Sequence, residues 1–375
     1  HGIRFIPMFG RQSFMVEGKH HFYGGVNIEA VGGGSGLVEA EIKRALQIGC
    51  EIRYDTAATR LIRDKNKRIT GLEVSSPEGI ETINARSIVL ACGGFESNPE
   101  MRARYLGPGW DLARVRGTKH NMGDGIQMAI DIGARAYGNW SGCHSVGWDI
   151  SAPEYGDYEV LDNFQKHSYP WGIMVNTEGS RFVDEGEDLR NHTYVKFGRE
   201  IMKQPNRTAI QIFDQKTIPL LRDEYRIRQV TKVSANTISE LAQELEINGD
   251  ALTKTIKEFN TACKPGKFNP SILDGVTTVG LNPNKTNWAL PIDEPPFEAF
   301  ITTTGVTFTF GGLKVDDKGS VLDSSDRSIK GLFAAGELVG GLFYENYPGG
   351  SGLMAGAVYG KIAGENAASY AVGNN

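Results

Sequence analysis

The C-terminal part of the chain carries a residue pattern that can bind a polar or anionic ligand. An apolar run, residues 331–337, ends in Gly336-Glu337, and a Gly-Gly-Ser-Gly turn at 349–352 precedes an apolar helix from Leu353. Backbone N–H groups in the first helical turn have no partner within the helix, so they attract a carbonyl oxygen or an anionic ring. The Glu337 carboxylate can accept hydrogen bonds from sugar or polyol hydroxyls. The same pattern also suits tight strand–helix packing without a ligand.

Glycine is concentrated in the two ends of the chain that must position these groups. The 375 residues include 47 glycines, of which 23 lie in residues 1–147, 9 in residues 148–304 and 15 in residues 305–375. Typical proteins contain about 7 % glycine. Because these glycines lie among apolar runs, they indicate close backbone approach rather than a solvated linker. The middle segment has ordinary composition.

The overall composition is that of a soluble globular enzyme and excludes several other classes. Charged residues make up 23 % and hydrophobic residues 40 %, which excludes disordered, collagen-like and coiled-coil chains. A net charge of −5 argues against a nucleic-acid partner. No apolar run reaches the roughly 18 residues of a membrane span. The cysteines form no C-x-x-C pair, so we expect reduced core thiols in a cytoplasmic protein and no metal site, at Cys50, Cys92, Cys143 and Cys263.

Local patterns predict a mixture of strands and helices. A glycine-rich turn at 32–36 leads into an amphipathic helix, and residues 56–74 are typical of a hairpin. Residues 50–54 and 87–92 are predicted as strands, the second in a parallel sheet covered on both faces. In the middle segment, Thr237 and Glu240 form a capping box, and Asp250 is expected to cap the next helix. The ends are therefore predicted as α/β and the middle as α+β.

Together these stretches resemble the fumarate reductase/succinate dehydrogenase flavoprotein superfamily. Residues 331–364 resemble its C-terminal flavin-binding motif, and residues 87–95 resemble its Ala-Thr-Gly-Gly-Phe strand end. The turn at 33–36 resembles the segment that enters the third strand of the FAD domain. Residues 181–185 resemble the Arg-Phe-x-Asn-Glu motif of the capping domain, and residues 306–314 resemble a strand ending in Gly-Gly. The matches follow the family's order over nearly the whole chain.

The resemblance implies an α/β fold with FAD as cofactor. A glutathione-reductase-like FAD-binding domain would comprise residues 1–137 and 303–375, with an α+β capping domain inserted at 138–302. The family's opening βαβ unit carries G-x-G-x-x-G, which these 375 residues lack. We therefore expect a fragment of a longer polypeptide, without its first βαβ unit and with weak or absent FAD binding. The implied cofactor contacts are Gly33, Ser35, Gly36, Ala91, Gly93, Gly94, Gly336, Glu337, Gly350, Ser351, Gly352 and Leu353.

The resemblance also implies two residues for substrate chemistry. In this family the substrate lies between the flavin and the capping domain, and an arginine passes a proton while hydride moves between a substrate carbon and flavin N5. Arg190 fills this place, five residues after Glu185. The alternative is a surface salt bridge with Glu187 or Asp188. His144 matches the histidine that holds a substrate carboxylate, and the alternative is a purely structural histidine.

Two departures from the family pattern argue against fumarate or succinate as substrate. Thr307-Phe-Thr-Phe-Gly-Gly stands where fumarate reductases have His-His-Thr-Met-Gly-Gly. Asn346-Tyr347-Pro-Gly-Gly stands where they have an arginine that clamps a carboxylate. Both segments are similar to the tricarballylate dehydrogenase branch, whereas a Tyr-Pro-Gly element also occurs in 3-ketosteroid dehydrogenases. Tyr344 and Tyr347 are hydrogen-bond donors or packing residues. The implied substrate-binding residues are His144, Thr307, Tyr344, Tyr347 and Gly349.

The sequence therefore predicts an FAD-dependent oxidoreductase acting on a CH–CH bond of a polycarboxylate such as tricarballylate. Arg190 would exchange the proton while hydride moves to flavin N5. One alternative is a 3-ketosteroid-type dehydrogenase in which Tyr347 polarises a ketone, and another is an inert fragment unable to hold FAD. The expected partners are a small carboxylate substrate and an electron acceptor that the sequence does not identify. The pattern predicts no particular oligomeric state.

Overall fold

A computed structural model describes residues 2–22 and 26–373, without the side chain of Val16. The strands in chain order are β1 Phe5–Pro7, β2 Ser13–Val16, β3 Lys19–Phe22, β4 Ile28–Ala30, β5 Ala57–Arg63, β6 Ile69–Ser76, β7 Gly79–Asn84, β8 Ile88–Leu90, β9 Arg114–Val115, β10 Ala136–Asp149, β11 Ile173–Asn176, β12 Ala209–Phe213, β13 Lys232–Ala235, β14 Phe297–Leu313, β15 Ser320–Leu322 and β16 Ser328–Ala334. The α-helices are α1 Phe9–Gln12, α2 Gly33–Gln47, α3 Pro99–Met101, α4 Asp124–Asp131, α5 Arg190–Met202, α6 Ile238–Glu244, α7 Gly249–Ala262 and α8 Ser351–Ala371.

Residues 26–135 and 314–373 form what we call the glycine-rich lobe. Its small sheet has the order β15-β16-β8, and β16 runs parallel to β8, with Leu332 opposite Ile88. The parallel strand predicted within 87–92 is thus confirmed, but its predicted coverage on both faces is wrong, because Val89 is exposed. The predicted hairpin is also confirmed as β5 and β6, which extend into a three-stranded antiparallel sheet with β7. Leu61, Ile126 and Leu332 share one buried cluster, which joins the hairpin, α4 and the parallel pair.

The strand predicted at 50–54 is wrong, because the structure has irregular backbone there. Arg53 donates to the carboxylates of Glu51 and Glu81 at 2.7 and 2.8 Å. These alternating charges are exposed side chains on a loop, so the apparent strand pattern has no sheet to join.

Two long antiparallel strands, β10 and β14, form what we call the connecting ladder. His144 lies opposite Phe308, and the register shifts between Gly138 and Cys143 and again after His144. The expected domain boundaries, 137/138 and 302/303, both fall inside these strands. The chain therefore passes between the two lobes within continuous strands rather than through free linkers.

Residues 150–296 form what we call the cap lobe, which extends the same sheet. The order is β10-β14-β12-β11, and β13 also pairs with β14. Helices α6 and α7 cover this sheet, where Ile173, Ile210, Leu252 and Phe259 share a buried cluster. Strands β11, β12 and β13, paired onto β14, and the two helices thus give the cap lobe a core of its own.

One of the two predicted helix caps in the cap lobe is confirmed. Thr237 and Glu240 form the reciprocal capping box of α6. The prediction for α7 is wrong by two residues, because Asn248 accepts from the Ala251 N–H while Asp250 lies in the first turn. Asn248 has extended backbone angles, which aim its side chain at the free N–H groups of the helix.

The four cysteines are free, but they do not share one environment. Cys143 is buried and Cys263 partly buried, whereas Cys50 and Cys92 are exposed. The expectation of core thiols is therefore wrong for the exposed pair, which lie at the ends of α2 and β8. None of the helices in the described part of the chain combines the length and apolar character that crossing a bilayer requires. Nor does the described part bring three histidine, cysteine or carboxylate side chains together as a metal site.

Candidate functional site

Arg190 begins helix α5 and turns its guanidinium into the protein. The guanidinium carbon lies 5.1 Å from the ring centre of Tyr194, one helical turn later. Its Nη2 is buried and has no hydrogen-bond partner in the described structure. Glu187 and Asp188 pair instead with Lys196 and His192. The surface salt bridge considered for Arg190 is therefore ruled out among the described ion pairs.

The surroundings of Arg190 favour proton exchange. Burial and, to a smaller extent, the neighbouring Arg222 guanidinium lower the pKa of Arg190 to about 9, although Tyr169 and Tyr194 oppose this fall. The pKa of a guanidinium group in water is far higher than this value. The neutral guanidine is therefore within reach at mildly alkaline pH, which a proton-accepting arginine requires.

Two further arginines hold a carboxylate on another wall of the same site. Arg116 donates two hydrogen bonds of 2.6 and 2.9 Å to the Asp162 carboxylate, and Arg11 donates a third of 2.7 Å. Arg116 also donates to the Thr307 hydroxyl at 3.1 Å. Burial alone would raise the pKa of Asp162, but the two guanidinium groups lower it to about 2. This cluster carries two positive charges against one negative charge.

His144 and Tyr347 lie between these charged groups. The His144 ring is buried on β10, 5.1 Å from the ring centre of Tyr194 and 4.6 Å from that of Tyr347. Its Nδ1 has no partner in the described structure. Burial, helped by the Arg116 charge, holds the pKa of His144 well below its usual value. A neutral imidazole therefore faces the site.

The structure brings most of the predicted substrate-binding residues together. Tyr347 accepts a hydrogen bond from the Gly352 N–H at 2.9 Å, and a Cβ on Gly349 would stand 3.8 Å from the Tyr194 hydroxyl. Thr307 is connected to these residues because its hydroxyl accepts a hydrogen bond from Arg116. Tyr344 lies apart, because its side chain is 69 % exposed and only its carbonyl is held, by Asn139.

His167 belongs to the site, although the sequence reasoning missed it. Its ring lies 5.2 Å from the Tyr194 ring, and both ring nitrogens are buried without partners in the described structure. Arg11, Arg116 and Asp162 were missed as well. The one local signal for His167 is the polar run 165–168 between aromatic residues.

Several of the predicted cofactor residues lie where β8 and β16 end. Ala91 follows β8 and Gly336 follows β16, so the carboxyl ends of two parallel strands meet there. Crevices of this kind are the usual ligand sites of α/β sheets. Gly336 and Gly350 both have φ of +82°, and a Cβ on either would meet no atom within 4 Å. Gly33, with φ of +61°, also faces open space. Each of these three glycines, which we call the cradle glycines, leaves open space that is compatible with a bound FAD.

The other predicted cofactor residues have mixed surroundings. A Cβ on Gly36, Gly94 or Gly352 would collide with Val31, with Thr309 and Glu337, or with Tyr347, so these glycines are needed for packing. Gly93 also has a positive φ, of +76°, beside the Asn121 side chain. The Ser351 hydroxyl donates to the Pro348 carbonyl. Among these other residues, Ser35 and Leu353 are exposed.

Glu337 is partly buried and lies next to the buried carboxyl group of Glu96. The Oε1 of Glu337 accepts from the Thr309 N–H at 2.7 Å, and the Glu96 carboxyl hydrogen-bonds to Glu337. Burial and the Glu96 charge raise the pKa of Glu337 well above its ordinary value, and burial raises that of Glu96 too. Two carboxyl groups this close retain a proton between them. The pair can therefore donate as well as accept a hydrogen bond.

The sequence profile of a family described as "FAD binding domain" matches residues 8–353. The chain belongs to this family. It is 29 % identical over 362 residues to a probable fumarate reductase, Ifc3, of Shewanella frigidimarina (strain NCIMB 400), covering 95 % of this chain and 56 % of that relative. The chain thus spans little more than half the length of that relative. These matches confirm the predicted superfamily of the chain and FAD as the cofactor of the family.

Two solved structures share the fold. A flavocytochrome c3 fumarate reductase in an open conformation matches with a TM-score of 0.71 and 25 % identity, over 97 % of this chain and 61 % of that chain. A 3-ketosteroid Δ1-dehydrogenase from Sterolibacterium denitrificans matches with a TM-score of 0.67 and 27 % identity, over 87 % of this chain and 61 % of that chain. The predicted mixed α/β FAD-binding fold is confirmed.

Proposed function

We propose that the chain is the substrate- and flavin-binding part of an oxidoreductase acting on a CH–CH bond of a small polycarboxylate, such as tricarballylate. The observation that carries this proposal is the presence of two separate positive groups around His144 and Tyr194. Arg190 has no carboxylate partner among the described ion pairs, and the cluster of Arg11, Arg116 and Asp162 keeps one net positive charge. The cluster can neutralise one substrate carboxylate, and the Arg190 guanidinium that forms when Arg190 takes the proton can neutralise another.

The chain's own residues divide the work of the reaction. Gly33, Gly336 and Gly350 would hold FAD, which supplies a hydride acceptor when bound. Arg190, as a neutral guanidine, takes the proton from the neighbouring substrate carbon, and the same guanidinium returns it in the reductive direction. The neutral His144 imidazole offers a hydrogen bond to a substrate oxygen without adding charge. The aromatic rings of Tyr194 and Tyr347 exclude water from these groups.

A 3-ketosteroid-type reaction is the second candidate. Tyr347 uses its hydroxyl oxygen to accept from Gly352, so its O–H stays available to polarise a ketone. Its ring also packs against Phe308 and Phe343, which gives the site an apolar wall. The similarity to the ketosteroid dehydrogenase structure is consistent with this reading. The unpaired Arg190 favours a carboxylate substrate instead.

The test begins with the flavin itself. The purified chain is incubated with FAD and desalted, and its absorbance and intact mass are recorded. A yellow protein is then assayed with a dye acceptor against tricarballylate, other carboxylates and 3-ketosteroids. Turnover of ketosteroids alone would favour the second candidate. A colourless chain of the expected mass that takes up no FAD would favour an inert fragment.

The Arg190→Ala variant tests the assigned proton carrier. We expect turnover to fall by about 100-fold or more while bound flavin is retained, because general acid–base catalysis contributes about this much. Arg104→Ala is the matched control, since Arg104 is an exposed arginine paired with Glu100. Near-normal turnover in Arg190→Ala would overturn the assignment.

A further inference from the structure

Glu96 is a buried acid with only one of its two carboxyl oxygens bonded to an ordinary donor. The residue is 3 % exposed. Its Oε1 accepts a hydrogen bond from the Asn121 side-chain amide, but no N–H or hydroxyl group in the described structure reaches its buried Oε2. An unpaired buried carboxylate oxygen is costly, so this oxygen requires a partner of another kind.

The carboxyl group of Glu337 is that partner, because the two carboxyl groups hydrogen-bond to each other. Ionised carboxylates are acceptors without a proton to donate, so this bond requires one proton in the pair. Glu337 Oε1 already accepts from both the N–H and the hydroxyl of Thr309, at 2.7 and 3.2 Å. Because two donors serve Glu337 and none serves Glu96 Oε2, the proton belongs on Glu96.

We propose that Glu96 is a positioning residue, whose proton bonds to the Glu337 carboxylate and holds it in place to accept from a hydroxyl group of FAD. The inference rests on the FAD binding proposed above. Glu337 is partly exposed and directly follows the cradle glycine Gly336, so its free lone pairs can reach a polyol hydroxyl. Loss of the proton would leave two negative charges that repel each other and displace Glu337. FAD binding therefore depends on one proton.

The surroundings of the two carboxyl groups keep this proton in place. Arg102 faces Glu96, but its guanidinium donates to backbone carbonyls, that of Glu96 among them, rather than to the carboxyl group. Tyr347 faces Glu337, and burial raises the pKa of its hydroxyl, so it adds no charge. Burial raises the pKa of Glu96 despite Arg102, and burial with the Glu96 charge raises that of Glu337. The proton is therefore lost only as pH rises above the ordinary range of a glutamate.

The pH dependence of FAD affinity tests this role of Glu96. FAD is titrated into the purified chain between about pH 6 and pH 9, and binding is followed by flavin fluorescence. We expect Kd to rise by up to about tenfold per pH unit above the pKa of the pair, because each FAD then binds together with one proton. Glu96→Gln keeps an N–H donor toward Glu337 without a titrating proton. Its affinity should equal that of the unmodified chain at low pH and lack the alkaline loss.

Two further variants separate this role from simple packing. Glu96→Ala removes the donor, so we expect FAD to bind about tenfold more weakly even at low pH. Glu100→Gln is the matched control, because the Glu100 side chain is 62 % exposed and pairs with Arg104. That control should keep the pH profile of the unmodified chain. Infrared spectra of the chain without FAD should also show a protonated carboxyl band at neutral pH that Glu96→Gln lacks.

Several results would overturn the assignment. An alkaline loss of affinity that persists in Glu96→Gln would place the titrating group elsewhere. Equal affinities of Glu96→Ala and Glu96→Gln would show that Glu337 needs no donor from this position, and a missing infrared band would remove the shared proton itself. FAD bound with an affinity that ignores pH would overturn this inference alone. A chain that takes up no FAD at any pH would overturn the proposed function with it.

Discussion

Helix α7 of the cap lobe and helices α2 and α8 of the glycine-rich lobe differ in how far their surfaces are covered. In the cap lobe, α7 buries Leu252, Ile256, Phe259 and Ala262. In the described glycine-rich lobe, α2 buries no residue, and the 21 residues of α8 bury only Ala363 and Ala367. Helix α7 packs into the core of the cap lobe, whereas α2 and α8 present apolar side chains to solvent, unlike the buried α4 of the same lobe. This difference shows that apolar periodicity predicts a helix but not what covers it.

A matched pair of leucine substitutions should give the largest effect. Leu252 is fully buried in α7, and Leu353 is 63 % exposed in α8. We expect Leu252→Ala to lower the free energy of unfolding by about 2–5 kcal/mol, because it leaves a cavity. Leu353→Ala should change it by less than about 0.5 kcal/mol. Urea denaturation followed by circular dichroism measures both, and equal losses would contradict the comparison.

A matched pair of glycine substitutions should separate strain from ligand binding. Gly336 and Gly275 have φ of +82° and +67°, and a Cβ on either meets no atom within 4 Å. We expect each alanine variant to lose about 1–2 kcal/mol of stability through left-handed backbone strain. Only Gly336→Ala, which alters a cradle glycine, should also weaken FAD binding. Fluorescence titration with FAD checks this, and equal FAD affinity in both variants would argue against FAD binding beside the cradle glycines.

The two lobes should also respond to pH in opposite directions, with smaller effects. The pKa of Glu337 is raised, so its stabilising protonated form is present at low pH and lost as pH rises through that raised value. The pKa of Asp162 is lowered to about 2, so its ion pairs stabilise above its ordinary pKa and are lost as pH falls toward 2. The glycine-rich lobe is therefore expected to weaken on the alkaline side and the cap lobe on the acid side.

The substitutions Glu96→Gln and Asp162→Asn test this contrast. Glu96→Gln removes the neighbouring charge, so the loss of stability on the alkaline side should shrink by about 1 kcal/mol. Asp162→Asn should flatten the acid side by about 1 kcal/mol, a value reduced for solvent screening because that side chain is 37 % exposed. Thermal melts between pH 3 and pH 9 give both profiles. Unchanged profiles would contradict the assigned protonation states.

The fold was predictable from sequence where the signal is local. The hairpin at 56–74, the parallel strand at 87–92 and the Thr237 capping box each depend on neighbouring residues. The strand predicted at 50–54 depended on partners that the structure does not provide. Exposure of Cys50 and Cys92 was missed for the same reason, because burial depends on what packs against a segment.

The candidate site was predictable only where a motif carried it. Arg190 and His144 were predicted from the resemblance to the flavoprotein superfamily, and the structure places both beside Tyr194. Arg11 and Asp162 are 151 positions apart and Arg116 and Thr307 are 191 apart. Hydrogen bonds and ion pairs over such sequence separations leave no periodic pattern in a sequence. His167 was missed because a buried polar side chain cannot be distinguished from an exposed one without its neighbours.

The connecting ladder decides where this molecule can be recombined with its relatives. His144 on β10 lies opposite Phe308 on β14, beside Thr307, so both sides of the substrate site are held by one stretch of paired backbone. A chimera cut at 138 and 302 would graft half of each strand onto a foreign neighbour and mismatch the register around His144. Crossover points after Asp149 and before Phe297 would instead keep β10 and β14 whole, and only the pairing of β12 and β13 with β14 would need to be matched. Specificity could then be exchanged while both walls of the reaction site keep their original pairing.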